Sequence, residues 1–462
     1  NGIAIAEQIR FLLKDWGIDK KVMCLNVDNA SSNDICVDML KSQLRLVCDG
    51  DYFHVRCCAH ILNLIVKDGL KEVDKVVFKV REYAKYCKGS QARKQRFLES
   101  VRMCDLAYTK GLRQDVPTRW NSTFLMLESA LHCRKVFSHL EVVEGNFVHC
   151  PRSDEWVKIE KLCSFLKVFY EVTCAFSGSK YPTSNLYFPN VVRVRLVSKE
   201  EMKKEDGFMK SMATRIFAKF EKYWAEFSSI VAISTILDPR YKFQFAKWAY
   251  KRVYRDSYEI ELSLLKDKLF CFFDEYAKSS NGLHSTSKLS SSTSHASNVE
   301  EGSNPLMEDF DHYSSNVFQS MAKSDLELYL EENKLPRIEN YNVLGYWNQN
   351  GSQFPILSQM ARDVLAISLS TVASESAFSM GGKVFDAYRS SLAPETVESI
   401  ICLRDWLYLY GHQVAIMPVQ INMDALCGDM MKTNLHDEDD SAASKSEARS
   451  GVGQKFALET AL

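Results

Sequence analysis

An α/β layer followed by a mostly helical body is the fold that the sequence predicts, and three observations predict it. Strand-like and helix-like segments alternate over the first 90 residues. Helical periodicity then runs almost unbroken from residue 88 to 275, and a second helical segment lies between residues 324 and 410, beyond a serine-rich stretch. With 462 residues, 46% of them hydrophobic and 25% charged, the chain holds enough apolar material for two or more packed domains.

Taken in order, "IAIAEQIRFLLKDW" (residues 3–16) sets Ile5, Ile9, Leu12, Leu13 and Trp16 on one helical face. The apolar run Val22 to Val27 predicts a buried strand that stops at Asp28. Ser31 or Ser32 is then placed to cap a helix carrying Ile35, Val37, Leu40 and Leu44. A second strand is expected from Tyr52 to Arg56. From Ala59 a long helix follows, with Leu62, Ile65, Val73, Val76, Val77 and Val80 at helical spacing. The helical stretch after it breaks at "SGSKYPTSN" (177–185) and at "LDPRYK" (237–242), where proline interrupts. Residues 277–323 are serine-rich and read as a disordered linker. Three helices are expected between 324 and 410, and residues 411–462 read as a flexible tail. No internal repeat is found.

The formal net charge is −1, so the overall balance points to neither a nucleic acid nor a membrane partner, and local charge has to decide. The 14 cysteines follow no regular framework, which predicts a reducing, intracellular setting. No apolar run approaches a membrane span, and no secretory signal precedes the first helix. Because the chain opens on Asn1, it reads as a piece of something longer.

Four features can carry chemistry. Cys57, Cys58 and His60 lie together in "HVRCCAHILNLIV", but no second ligand pair follows at zinc spacing. A buried thiol with a hydrogen-bonded histidine is the plainer reading. Asp28 at the end of a strand suits a catalytic or metal-binding acid, and equally an Asx-turn or capping aspartate. Glu375 in "STVASESAFSMGG" is placed on an extension of the helix carrying Val364, Ile367 and Leu369; alone, it is an ordinary helix glutamate. The segment Lys75 to Arg119 has 12 Lys and Arg against 4 Asp and Glu, with Tyr83, Tyr86 and Phe97 interleaved. That suits a phosphate backbone with base stacking, or else a solvated helix face.

"NVDNASSND", "RCCAHILNLIV", "TRWNST", "YPTSNLYF", "ILDPRYK" and "TVASESAFSMGGKVFDAYRSSLAPETVESIICLRDW" occur in the order of the hAT (hobo, Activator, Tam3) transposase superfamily. The chain resembles its plant RICESLEEPER and DAYSLEEPER type over most of residues 1–410. The resemblance implies a partial RNase H-like core (1–90), a large helical insertion (91–276), and a helical C-terminal dimerisation region (324–410) that includes the last core helix. Asp28 matches the family's second catalytic acid and Glu375 the third, both holding divalent metal. Cys57 and His60 match a CxxH motif that positions DNA, and Trp120 matches an insertion-domain tryptophan that steadies a flipped base.

The family's first acid, first strands and BED zinc finger have no counterpart in this sequence. The expectation is therefore a nuclear, DNA-binding, dimerising protein without transposition activity in this form. The alternatives are a fragment of an active transposase whose remaining parts lie upstream, and a helical protein-interaction module. No cofactor is expected in this form, Mg2+ or Mn2+ in a complete enzyme, and zinc only in the finger. The expected partners are DNA and a second copy or a related hAT-like chain, with no membrane. Beyond Cys57, His60 and Trp120, the residues expected at DNA are Arg119, Lys85, Lys88, Arg93, Lys94 and Arg96. Those expected at the dimer contact are Leu344, Tyr346, Trp347, Phe354, Leu357, Leu403 and Trp406.

Overall fold

Asn1 opens the first helix, α1 (Gly2–Asp15), its side-chain oxygen accepting from the Ile3 amide. The helix buries Ala6, Ile9, Leu12 and Leu13, whereas Trp16 lies just past its end and is 39% exposed. Its partner is α2 (Ser31–Gln43), which approaches so closely that a side chain on Gly2 would come within 2.3 Å of the Ser32 carbonyl. The expected serine cap of α2 is replaced. Ala30 occupies that position without a side-chain bond, and the Asp28 carboxylate accepts from the Ala30 amide instead.

The computed structural model describes residues 1–107, 111–144, 149–224, 229–287, 323–338, 340–384 and 393–411. These fall into two compact units, 1–371 and 372 onward. In the first, β1 (Leu25–Val27) and β2 (His54–Arg56) pair in parallel, in the register Leu25↔His54, Asn26↔Val55, Val27↔Arg56. Both strands are shorter than the apolar runs predicted, and they form the two-stranded sheet of the described residues.

The single long helix expected after β2 is two: α3 (Cys58–Leu70) and α4 (Asp74–Lys88), separated by a 3-10 turn at Lys71–Val73. The helical body continues with α5 (Gln91–Met103), α6 (Trp120–His132), α7 (Arg134–Val143), α8 (Ser153–Phe176), α9 (Ser184–Lys203), α10 (Gly207–Trp224), α11 (Ile230–Ile236), α12 (Lys242–Tyr254) and α13 (Tyr258–Ser287). Every residue of α11 is buried, as a helix apolar on all sides must be, and α9 and α12 pack around it. Helix α13 runs on to Ser287, into the stretch expected to be a linker from residue 277, and residues 288–322 lie outside the described residues.

Beyond that stretch the described residues form five helices where three were expected: Asp325–Glu331, Val343–Gln349, Pro355–Leu365, Val372–Val384 and Pro394–Gly411. The first three belong to the first unit. There, buried polar groups clasp them to the chain around Asp238. Trp347 Nε1 donates to the Leu237 carbonyl at 2.9 Å, the Tyr329 hydroxyl to the Ile236 carbonyl at 3.0 Å, and Lys242 Nζ to the Tyr329 carbonyl at 2.8 Å. Asp238 itself, fully buried, accepts from Asn185 at 2.8 Å and from Arg240 at 2.7 Å. Here "YPTSN" and "LDPRYK" act structurally, since buried polar groups must be paired. The tail, 412–462, lies outside the described residues.

Candidate functional site

The register Val27↔Arg56 places the next residues, Asp28 and Cys57, side by side at the C-terminal ends of the two strands. The Cys57 amide donates to the Val27 carbonyl at 2.8 Å, and the Cys58 amide to the Leu369 carbonyl at 2.8 Å. Cys57 Sγ accepts from both the amide and the hydroxyl of Thr371 at 3.4 Å. Asn26 Nδ2 reaches the Ser368 carbonyl at 2.5 Å. The stretch 368–371 is thus held against the strand ends.

Asp28 is half-buried. Its Oδ1 accepts from the Ala30 amide at 3.0 Å and from Asn33 Nδ2 at 2.7 Å, while Oδ2 takes no hydrogen bond among the described residues. Both Asp28 readings are therefore compatible in one side chain: an Asx turn through one oxygen and a carboxylate oxygen left over. His60 lies half-buried in the first turn of α3. Burial pushes the Cys58 thiol well above its ordinary value, which disfavours the thiolate a nucleophile needs.

Glu375 is exposed, in the first turn of helix Val372–Val384 in the second unit. The single helix expected through Val364 and Glu375 does not form. Helix Pro355–Leu365 ends at Leu365, and a new helix starts at Val372. Among the described residues, no three His, Cys, Asp or Glu come together to hold a metal ion. Asp28 by itself supplies one carboxylate, whereas a hard divalent cation takes several oxygen ligands.

The basic stretch is largely committed to internal contacts. Lys79 bonds Glu155 at 2.7 Å, Arg81 holds the fully buried Asp115 side chain at 2.8 Å, and Arg96 pairs with Glu144. Lys85 meets Glu82 at 2.9 Å, and Arg93 lies 4.2 Å over the Tyr86 ring. Lys88 is half-buried, its ammonium pushed down by burial and by the neighbouring Lys94 and Arg113. Lys94 and Arg119 are exposed and hold no ion pair among the described residues. Trp120 is 2% exposed at the start of α6, so its ring is core and offers no open face to a base.

The residues expected at a dimer contact divide in the same way. Trp347, Phe354 and Leu357 are at most 1% exposed and fill the first unit, while Tyr346 is half-buried over Trp347. Leu344 and Leu403 are 42% and 53% exposed. The Trp406 side chain lies outside the described residues.

A second basic stretch escaped the sequence reading. Residues 239–255 carry six Lys and Arg and no Asp or Glu, with Tyr241, Phe243, Phe245, Trp248, Tyr250 and Tyr254 interleaved. The signal was there, the same one read at Lys75–Arg119.

Four family models match: the ZBED1 RNase-like domain over 1–52, the ZBED1 RNase-like helical domain over 55–165, the hAT-like transposase RNase-H fold over 185–276, and the hAT family C-terminal dimerisation region over 325–407. The chain is 34% identical over 443 residues to zinc finger BED domain-containing protein RICESLEEPER 2 of Oryza sativa subsp. japonica, covering 91% of this chain and 61% of that protein. It is 33% identical over 458 residues to a putative AC transposase of Zea mays (96% of this chain, 56% of that protein). To the DAYSLEEPER protein of Arabidopsis thaliana it is 29% identical over 408 residues (87% and 57%). The chain thus spans less than two thirds of the length of these curated relatives.

Proposed function

The chain belongs to the hAT transposase family, and on that premise we propose that it is a transposase-derived nuclear protein that binds DNA as a dimer and acts by binding rather than by cutting. One observation carries the pairing. Helix Pro394–Gly411 buries Val397 and Ile401 but leaves Ile400 and Leu403, three residues apart, 41% and 53% exposed. Two exposed apolar side chains three residues apart offer a place for a partner to cover, and the segment falls within the match to the family's dimerisation region.

DNA is the partner that the relatives' names, zinc finger BED proteins and transposases, suggest. Lys94 and Arg119 support it as exposed cations available to phosphates. No cofactor is needed in this reading. Binding of the full chain to a duplex should weaken linearly in log-log terms with salt. The absence of any complex at low salt contradicts the reading.

A second reading, a segment of an active transposase using Mg2+ or Mn2+ and completed by upstream sequence, is favoured by the place of Asp28 at the end of β1 beside Cys57. A strand-transfer assay on a protein extended upstream tests it. Activity that is lost in Asp28→Asn supports it, and no activity with either metal rejects it.

A further inference from the structure

Beside the start of α12 lies a cleft of about 280 Å³, lined by Arg240, Tyr241, Phe245, Trp248, Lys334 and Arg337. Three aromatic rings and three cations share one space.

Its far wall is fixed to the turn just before α12. The Leu335 amide donates to the Pro239 carbonyl at 2.9 Å, and Arg240 Nη1 donates to the Ile338 carbonyl at 3.2 Å. Lys242 grips the carbonyls of Tyr329 and Glu332 from within. Lys334 and Arg337 therefore sit on backbone that is already ordered.

The cations differ in what remains open to them. Arg240 is committed to Asp238. Lys334 and Arg337 are exposed and hold no ion pair among the described residues. Trp248 is 43% exposed, 5.5 Å from the Phe245 ring, with the Arg252 guanidinium 4.3 Å from its centroid. Residues 239–255 carry no acidic residue themselves, and the neighbouring carboxylates Asp238 and Glu332 are bonded to Arg240 and Lys242.

An acidic peptide would satisfy the cations and leave the rings unmatched. A nucleotide unit matches both, with its phosphates on the cations and its planar base on the rings. In a duplex the base faces are already stacked on one another, so only an unpaired nucleotide can use the rings. We infer that the cleft binds an unpaired nucleotide of a DNA strand, with phosphates on Lys334 and Arg337 and the base against Phe245 and Trp248. This inference rests on the DNA-binding reading above.

The test is fluorescence anisotropy of the full chain with labelled oligodeoxythymidine and, separately, with a blunt duplex. It compares the wild type, Trp248→Ala, and Lys334→Glu combined with Arg337→Glu, all at exposed positions, with folding checked by circular dichroism. Both variants should lose about tenfold or more in single-strand affinity, with duplex affinity changed by about twofold or less. The charge variant should also flatten the single-strand salt dependence by about 1.4 in log-log slope, the value for two phosphates. Unchanged single-strand affinity with intact duplex binding overturns the inference alone. Equal losses on both DNAs also overturn it, marking a general phosphate surface. If the wild type binds neither DNA at low salt, the DNA-binding reading falls and takes the inference with it.

Discussion

The ammonium of Lys242 donates to the main-chain carbonyl of Tyr329 at 2.8 Å, across 87 positions of sequence, and the lysine is only 1% exposed. It also reaches the Glu332 carbonyl and carboxylate at 3.2 Å and lies 4.2 Å from the Tyr329 ring centroid. Burial lowers its pKa, and Glu332 opposes the shift. The residue has a positive φ of 50°, a conformation unfavourable for a long side chain, so these contacts hold a strained position. Lys242→Met leaves buried carbonyls unpaired and should destabilise the first unit by about 2–3 kcal/mol in urea unfolding. A loss below about 0.5 kcal/mol would mean that the clasp is dispensable.

Trp347 and Leu403 both fall within the match to the family's dimerisation region, yet they should fail differently. Trp347 is 1% exposed and hydrogen-bonded to Leu237, so Trp347→Ala should cost about 3–5 kcal/mol and lower the melting temperature sharply. Leu403→Asp changes a residue that is 53% exposed. It should leave monomer stability within about 0.5 kcal/mol and weaken self-association by about tenfold or more. Calorimetry with sedimentation velocity reads both. A Trp347→Ala chain with an unchanged melting temperature, or a Leu403→Asp dimer of native affinity, contradicts the division of roles.

Acid should loosen the contact between α4 and α8. Burial on its own raises the Glu155 carboxyl, but the Lys79 ammonium and the Arg152 amide outweigh it and hold the group below its ordinary 4.5. A carboxyl whose pKa is depressed on folding contributes stability above its unfolded value. That contribution is lost as pH falls from about 4.5 through the folded value. Glu155→Gln should therefore lower stability at pH 7 by about 1–3 kcal/mol and flatten the decline below pH 4.5. Chemical denaturation at several pH values checks this; an unchanged acid slope in the variant removes Glu155 from the account.

Thiol labelling separates the cysteines by burial. Cys271 is exposed, whereas Cys57 and Cys58 are 1% and 3% exposed. With the Cys58 thiolate disfavoured as well, a disulfide reagent should modify Cys271 before the buried cysteines of the described residues. Cys57 and Cys58 should react only after unfolding. Rapid native labelling of Cys58, located by mass spectrometry, would contradict the packing at the strand ends.

Which parts of this were legible in the sequence follows from the range of the interactions involved. The amphipathic pattern of residues 3–16 and the apolar run ending at Asp28 are local signals, and helix α1 and strand β1 lie where they point. The break at Lys71–Val73 was not legible, because apolar spacing continues through Val73 and Val76 across the 3-10 turn. Nor was the fate of Trp120, Trp347 and Phe354. An aromatic looks the same in sequence whether it awaits a partner or fills a core, and only long-range packing decides. The charge count over Lys75–Arg119 misled for a related reason: Glu155 and Glu144, which neutralise Lys79 and Arg96, lie outside the counted window.

The most direct test of the central claim is sedimentation velocity of the full chain at low salt, alone and with a labelled duplex. The account predicts a dimer that co-sediments with the DNA and releases it as salt rises, and Leu403→Asp that sediments as a monomer. A chain that stays monomeric at high micromolar concentration and leaves the duplex unbound would contradict it.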